Sequence, residues 1–246
     1  MSHRIIGGSD FLEVIMNKIK LDSRLSAVAS LVRKGSIVAD IGTDHAYLLC
    51  HLIQNGICPN GIAADIGKGP LKNAENTVIA CNLSDKVELI LSDGLKSLPE
   101  NCADDIVIAG MGGILISEIL SNAKWILNNK IRIIAQPMTH AEILREFFIT
   151  NGFEISEEKT ATDGKRFYCT MAASYVGKTE KKDNSYYYIG ELLSNTDDTT
   201  KTYIDKLLFT LEKKLAALKS AEHVESNELE KLIAEIKQKV SEAYYD

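Results

Sequence analysis

The hydrophobic positions along this chain alternate between short, nearly continuous apolar runs and longer stretches with helical spacing. The intervals at 45–56, 68–82, 113–124 and 139–151 have helical spacing. Five runs rich in Val, Ile and Ala predict strands, at 36–41, 61–66, 87–91, 105–109 and 131–136. Apolar strands separated by helices are typical of a parallel sheet covered on both faces. The pattern therefore predicts an open α/β sheet.

Two more strand-like runs follow the fifth strand and predict an antiparallel pair. They cover residues 153–159 and 166–175, and the Asp163-Gly164 dipeptide between them is a strong turn signal. A mostly parallel sheet that ends in an antiparallel hairpin is typical of Rossmann-like class I methyltransferases. Nicotinamide-binding sheets usually keep their last strand parallel, so the pattern favours the methyltransferase architecture.

Helical patterns flank the predicted sheet. Residues 9–33 carry Leu and Val at helical spacing, which indicates one or two helices before the first strand. Residues 177–200 are polar, and the run Lys181-Lys182-Asp183-Asn184-Ser185 within them predicts a linker. Residues 201–243 contain neither Gly nor Pro, and their two Leu-rich stripes are separated by a break at 222–226.

The two stripes predict a C-terminal helical hairpin of coiled-coil character that projects from the sheet. The alternative is a pair of surface helices that close the core. We expect a methyltransferase domain over 1–176 and a helical domain over 177–246.

Composition narrows the class of protein without identifying it. The 246 residues are 45% apolar and 25% charged, as in soluble globular proteins. The net charge of −6 does not point to a nucleic-acid partner, although a local basic patch is compatible with it. The five cysteines are scattered without a C-x-x-C pair, which predicts buried thiols rather than disulfides or a metal site.

No apolar run approaches the ~20 residues that cross a bilayer. Residues 1–20 carry dispersed charges and do not resemble a secretion signal. We therefore expect a cytoplasmic protein without a membrane partner, and a monomer.

Candidate chemistry begins where the first predicted strand turns into its helix. The turn contains Asp40, Gly42, Thr43 and Asp44, with one glycine where phosphate-binding turns usually have two or three. A carboxylate at position 44 would repel a pyrophosphate, whereas S-adenosylmethionine has no phosphate and carries a sulfonium. The turn thus favours S-adenosylmethionine as the cofactor, while a helix N-cap role for Asp44 is about equally compatible with the turn alone.

Each of the next three strands also ends in residues suited to this cofactor, and ligands of open α/β sheets bind at these strand ends. Asp65 and Ile66 close the second strand, where an acid binds ribose hydroxyls. Asp93 and Gly94 close the third, near the expected adenine ring. The predicted cofactor site also includes Ala109, Gly110 and Met111 after the fourth strand.

Residues around these turns are candidates for holding the acceptor. Gly112 and Gly113 stand where amino-methyltransferases commonly carry an Asn/Asp-Pro-Pro-aromatic tetrad that binds the target amine. This chain lacks the tetrad, so it must bind its acceptor through other residues. The Gln136 amide, before Pro137, either reads a base edge or satisfies backbone groups. The other candidates are Arg24, His45 and Tyr47, and the basic residues expected to flank the mouth for phosphate binding are Arg24, Arg33, Lys34, Lys68, Lys165 and Arg166.

Three motifs together resemble the TrmK family, bacterial enzymes that methylate N1 of the adenine at position 22 of tRNA. They are Asp-Ile-Gly-Thr-Asp-His-Ala-Tyr-Leu at 40–48, Ile-Ala-Gly-Met-Gly-Gly at 108–113, and Gln136-Pro137 with His140. The resemblance covers about residues 21–175 by motif. It implies tRNA as the partner, a helical domain that contributes to tRNA binding, and a catalytic role for Asp44.

Other functions remain open from the sequence alone. The nearest is an S-adenosylmethionine-dependent methyltransferase that acts on another RNA or on a protein. A nicotinamide or flavin oxidoreductase is disfavoured by Asp44 and the terminal hairpin. A non-catalytic cofactor-binding scaffold is disfavoured by Asp44 together with the open glycine turn.

Overall fold

A computed structural model describes residues 18–244 of the chain. The strands of the sheet are β1 (Val38–Ile41), β2 (Gly61–Asp65), β3 (Val87–Leu91), β4 (Asp105–Met111), β5 (Arg132–Pro137), β6 (Phe153–Asp163) and β7 (Arg166–Tyr175). They pair in the order β3-β2-β1-β4-β5-β7-β6. The first five strands are parallel, and β7 lies antiparallel to both β5 and β6. The predicted α/β sheet with a terminal antiparallel hairpin is confirmed.

Eight α-helices and two short 3-10 turns accompany the strands in the described part of the chain. The helices are α1 (Ser23–Leu31), α2 (Tyr47–Gln54), α3 (Lys68–Ala80), α4 (Gly113–Ser121), α5 (Ala141–Thr150), α6 (Asn184–Ile189), α7 (Asp198–Ser220) and α8 (Ser226–Tyr244). The 3-10 turns are Lys124–Ile126 and Leu192–Ser194. Of the one or two helices predicted over 9–33, α1 lies within the described residues, and the portion before Lys18 lies outside them.

Several element boundaries differ from the prediction for local reasons. Helix α2 begins at Tyr47 rather than at residue 45 because Ala46 has a left-handed backbone, with φ 53°. Helix α5 begins at Ala141 because His140 likewise has φ 55°. Strand β6 continues to Asp163, four residues beyond the predicted end, because it stays paired with β7 up to the turn.

The central strands β1, β4 and β5 are buried on both faces, which explains why they are almost continuously apolar. On one face Ile106, Ile108 and Ile133 pack in a cluster with residues of α4 and α5. On the other face Val107 and Ile134 pack with residues of α1, α2 and α3. Consecutive residues of one strand thus enter different cores.

The linker predicted at 181–185 is wrong for its last two residues, because α6 begins at Asn184. Residues 184–194 form α6 and a 3-10 turn, and Tyr187, Ile189 and Leu192 within them are buried. These apolar residues are interleaved with polar ones, so the mean polarity of the segment concealed them. The segment packs on the sheet domain instead of spacing it from the hairpin.

Helices α7 and α8 form the predicted helical hairpin. Lys219–Glu230 and Lys237–Glu212 ion pairs join the two helices, and Leu211, Leu229, Leu232, Ile233 and Ile236 are buried in their own cluster with Ile189. At the base, the Tyr244 hydroxyl donates to the Asn195 carbonyl oxygen at 2.9 Å. The coiled-coil character of this hairpin and its projection from the sheet stay predictions.

A fully buried ion pair joins the sheet to the C-terminal segment. Arg145 of α5 and Glu158 of β6 are both 0% exposed, with 2.9 Å between Nε and Oε1. The Arg145 Nη1 donates to the carbonyl oxygens of Tyr187 and Tyr188 (3.0 and 2.8 Å). Glu158 Oε2 accepts the Glu191 N–H at 2.6 Å. Both charges are therefore neutralised and hydrogen-bonded by groups that come from two distant parts of the chain.

All five cysteines are free thiols, and Cys50, Cys58 and Cys169 are buried. Between residues 18 and 244 no helix combines the length and apolar content that a membrane crossing requires. Over the same residues, no cluster of three or more His, Cys, Asp or Glu side chains is arranged to hold a metal ion.

Candidate active site

Strand β1 ends in a tight turn at the carboxyl edge of the sheet. Gly42 and Thr43 donate their N–H groups to the Ala64 carbonyl oxygen (2.8 and 3.1 Å), which ties the turn to β2. Gly42 has φ +78°, and a Cβ there would overlap the terminal methyl group of Met111. Glycine is needed at position 42 because of both the left-handed backbone and this close approach.

Asp40 is a buried carboxylate directly before this turn, with 8% of its surface exposed. Burial raises the pKa of Asp40 to about 6, although a hydrogen bond from Thr43 and the positive charge of Arg24 oppose the increase. Such a group favours a cationic ligand, because a positive charge nearby would lower its pKa and relieve the cost of its burial.

Replacing Asp40 with Asn should make the protein without ligand more stable at pH 8 and flatten its pH dependence. The pKa is raised in the folded state, so the stabilisation of the protonated form is complete below the unfolded value of 3.8 and is lost as pH rises through about 6. Ionised Asp40 thus costs about 3 kcal/mol at high pH. Urea unfolding at pH 5 and pH 8 should detect about half of this cost, because Asp40 in the unfolded chain is already mostly ionised at pH 5. Equal pH dependence in the variant and the wild type would contradict it.

Asp44 is the exposed carboxylate of the turn, with 67% of its side-chain surface accessible. Its Oδ2 lies 3.3 Å from His45 Nε2, and its Oδ1 accepts from Asn73 Nδ2 at 3.5 Å. The helix N-cap alternative is not observed, because the N-cap of α2 is Ala46, whose N–H is bound by Thr43 Oγ1. The carboxylate therefore faces solvent rather than satisfying the backbone.

The rings of His45 and Tyr47 stack beside Asp44. Their centroids are 5.0 Å apart and their planes are inclined by 9°. Burial raises the pKa of Tyr47, and the nearby negative charge of Asp44 adds to the effect, so its hydroxyl stays protonated at neutral pH. Two parallel rings next to an exposed carboxylate form a flat surface of the kind on which a planar base can stack.

The ends of β2 and β3 lie next to this turn. Asp65 Oδ1 accepts the Gly67 N–H at 2.6 Å, and Ile66 is 70% exposed. The Ser92 N–H donates to the Asp65 carbonyl oxygen at 2.9 Å, which joins the two strand ends. Asp93 and the adjacent Gly94 follow, and the Asp93 carboxylate forms an exposed ion pair with Lys96. The structure thus places all the acidic candidates at one edge of the sheet.

The glycine turn after β4 is held by a buried side chain. Gln136 is fully buried, and its Oε1 accepts both the Gly110 N–H (3.1 Å) and Arg24 Nη1 (2.9 Å). Its Nε2 donates to the carbonyl oxygen of Pro137, which is also buried. Of the two roles left open by the sequence, the structure shows the one in which the amide satisfies internal groups. Gln136 positions Arg24 and the Ala109–Gly110 turn and does not itself present an edge to a base.

Gly112 and Gly113 lie against the loop that follows β5. The Gly113 N–H donates to the Thr139 carbonyl oxygen at 2.8 Å, and Gly113 is buried. A Cβ on Gly113 would overlap the His140 carbonyl oxygen and would lie 2.9 Å from the His140 carbonyl carbon. Both partners are backbone, so packing requires glycine at position 113, and its contact with the acceptor stays a prediction.

Replacing Gly113 with Ala should therefore destabilise the protein by about 1–3 kcal/mol, the usual cost of overpacking a tight site. The matched control is Gly69→Ala in α3, where an added Cβ meets nothing within 4 Å. Thermal unfolding of both variants compares them directly. A Gly113→Ala variant as stable as Gly69→Ala would show that the loop moves aside without cost.

The structure separates the predicted phosphate-binding cations into two groups. The prediction is wrong for Arg33, which pairs with Asp105 at 2.6 Å where β4 begins, at the opposite edge of the sheet. Lys34 precedes β1 and lies at the same far edge. Lys68, Lys165 and Arg166 begin or adjoin elements at the carboxyl edge, as does Arg24 through its bond to Gln136.

Sequence reasoning missed two parts of this region. Asn73 contacts Asp44 from α3, and Lys206 reaches the β6–β7 turn from α7. Each contact joins residues far apart in sequence and none belongs to a motif, so no local signal identifies them.

The residues present fit S-adenosylmethionine. A cluster of carboxylates surrounds the turn, and one of them is buried with a raised pKa, which suits a ligand with ammonium and sulfonium charges. Gly110 leaves space for a ligand beside the turn, since a Cβ at this position would meet only the Arg24 guanidinium, at 3.6 Å. The exposed Asp44 in the turn disfavours a pyrophosphate.

Comparisons with known proteins agree with this geometry. Residues 21–171 match the family described as "Methyltransferase domain". The tRNA (adenine(22)-N(1))-methyltransferase of Bacillus subtilis is 37% identical over 158 residues, which are 64% of this chain and 66% of that protein.

Two solved structures are similar over nearly the whole chain. The crystal structure of the B. subtilis m1A22 tRNA methyltransferase TrmK has a TM-score of 0.78 and 27% identity, covering 92% of this chain and 99% of that one. A putative tRNA (m1A22) methyltransferase of Streptococcus pneumoniae, in complex with S-adenosyl-L-methionine, has a TM-score of 0.79 and 30% identity, covering 90% and 100%. This chain therefore belongs to the TrmK family of methyltransferases.

Proposed function

We propose that this protein transfers the methyl group of S-adenosylmethionine to N1 of an adenine in tRNA, at position 22 by analogy with its B. subtilis relative. The observation that carries the proposal is the exposed Asp44 carboxylate beside the stacked His45 and Tyr47 rings, in the turn expected to hold the cofactor. Asp40, Gly42, Thr43, Asp65 and the 109–111 turn are the proposed cofactor contacts.

The cofactor supplies an electrophilic methyl group, whose bond to sulfur breaks as the N1 lone pair of adenine forms the new bond. Adenine N1 is a weak nucleophile, so the protein must hold it about 3 Å from the methyl carbon and in line with the breaking bond. As the bond forms, positive charge develops on the adenine ring. The Asp44 carboxylate stabilises that charge and accepts a proton from the exocyclic amino group.

The target base must leave its stack to reach this turn. The stacked rings of His45 and Tyr47 offer it a flat surface next to Asp44. Arg24, held by Gln136 at the mouth, supplies a cation for the adjoining phosphate. Asn73 and His45 fix the orientation of the Asp44 carboxylate.

Direct assay of the product tests the proposal. Unmodified tRNA would be incubated with methyl-labelled S-adenosylmethionine and digested to nucleosides. The labelled nucleoside would then be identified by its mass. We expect 1-methyladenosine, and its loss when the transcript carries guanine at position 22. Another methylated nucleoside, or methylated protein, would contradict adenine N1 as the acceptor. The protein would still be an S-adenosylmethionine-dependent methyltransferase. A monomeric state, a cytoplasmic location and the division at residue 176 stay predictions.

A further inference from the structure

A cleft lies between the sheet and the C-terminal hairpin, outside the cofactor turn. Its volume is about 380 Å³, and it is bounded by the 137–140 loop, the start of β7 and the face of α7 that carries Tyr203, Lys206 and Thr210. This volume lies in the ~300–1,000 Å³ range of pockets that hold small ligands or ligand parts.

The cleft and the candidate active site are on two sides of the same loop. The Met138 N–H donates to the Met111 carbonyl oxygen at 2.7 Å, and Thr139 accepts the Gly113 N–H. Met111 in turn lies over Gly42 of the cofactor turn. A strand of nucleic acid with one base in the active site would therefore pass close to this cleft.

Cations outnumber carboxylates in the lining. Lys165, Lys206 and Arg145 line the cleft together with the single carboxylate Glu142, in a chain with a net charge of −6. Arg145 is neutralised by the buried Glu158, and Glu142 lies 3.1 Å from His140. With Arg145 neutralised, Lys165 and Lys206 against Glu142 leave the lining with a positive balance.

Lys206 is held in place rather than free in solvent. Its Nζ lies 3.8 Å from the centroid of the Phe167 ring and donates to the Lys165 carbonyl oxygen at 3.3 Å. These two contacts fix the ammonium at the cleft mouth with donor capacity left over. Phe167 and Tyr188, both partly exposed, add aromatic surface to the walls.

The back of the cleft is rigid. Arg145 lines it and is pinned by Glu158 and by two carbonyl oxygens of α6. The ion pair holds α5, β6 and α6 together, so the cleft keeps its shape without a ligand. A preformed surface loses less entropy on binding than a mobile one.

We propose that this cleft binds the sugar–phosphate backbone of the RNA substrate next to the target adenine, with Lys206 and Lys165 on its phosphates. Positive charge combined with aromatic surface is the combination that single-stranded nucleic acid recognises. The proposal rests on the proposed function, since the occupant is part of the same substrate. It makes Lys206 a substrate-binding residue that is not involved in the chemical step.

The test compares Lys206→Ala with Lys206→Arg, and with Lys130→Ala as the matched control. Lys130 is an exposed lysine before β5, at the opposite edge of the sheet. For each protein the tRNA affinity, the KM for tRNA and kcat would be measured between about 50 and 200 mM salt. The affinity for S-adenosylhomocysteine reports whether the fold and the cofactor site are intact.

We expect Lys206→Ala to weaken tRNA binding roughly three- to ten-fold and to reduce the slope of log affinity against log salt by about one. Lys206→Arg should retain the slope, and kcat and cofactor affinity should stay as in the wild type. A wild-type slope in Lys206→Ala, matching that of Lys130→Ala, would overturn the proposal. Wild-type protein that methylates no tRNA would instead overturn the proposed function.

Discussion

Replacing Asp44 with Ala should lower kcat for methyl transfer about 100- to 10,000-fold, the range expected when a positioned acid–base group is lost. The affinity for S-adenosylmethionine should change little, because Asp44 is exposed and the buried carboxylate of the turn is Asp40. Single-turnover methylation of tRNA measures the rate, and calorimetry measures the cofactor affinity.

Two further variants separate charge from shape. Asp44→Asn keeps the size of the side chain and the contact with Asn73 while removing the negative charge, so it should be nearly as slow as Asp44→Ala. Asp85→Ala, at an exposed aspartate before β3 on the opposite edge of the sheet, is the matched control and should retain full activity. An Asp44→Ala enzyme with more than half of the wild-type kcat would remove Asp44 from the mechanism.

Replacing Arg145 with Met should destabilise the protein by about 3–5 kcal/mol, the usual effect of breaking a buried ion pair. The substitution leaves the Glu158 carboxylate fully buried, and burial already raises the pKa of Glu158 against the opposing effect of Arg145. It also frees the Tyr187 and Tyr188 carbonyl oxygens that Arg145 binds. Urea unfolding at pH 7 measures the loss.

The double variant Arg145→Met/Glu158→Leu distinguishes the ion pair from simple packing. Removing both charges should recover part of the stability, because no unpaired charge remains in the core. A single variant within 1 kcal/mol of the wild type, or a double variant less stable than Arg145→Met, would contradict this account.

The parallel sheet could be predicted because burial on both faces makes its strands continuously apolar, and this signal is local. Ile106, Val107 and Ile108 illustrate it, since neighbours in the strand enter opposite cores. Helix α6 could not be predicted in the same way. It has only six residues and depends on Arg145, which lies far away in sequence.

The site shows the same division. The turn at 40–48 could be predicted from its residue types, because cofactor chemistry restricts them at fixed spacing. The internal role of Gln136 could not be chosen, because its partners Arg24 and Gly110 come from other elements. The position of Arg33 at the opposite edge of the sheet could not be predicted either. Its partner Asp105 lies beside it only because β4 pairs with β1, and the sequence does not give that strand order.

The buried Gln136 amide also restricts how related sequences can vary. One oxygen serves both Arg24 and the Gly110 N–H, so a change at position 136 alone leaves two donors without their acceptor. A change to Glu would keep an acceptor but would place a second buried carboxylate beside Arg24, whose positive charge already acts on Asp40. Substitutions at positions 24 and 136 should therefore be epistatic, with a change at 136 tolerated better when position 24 changes as well.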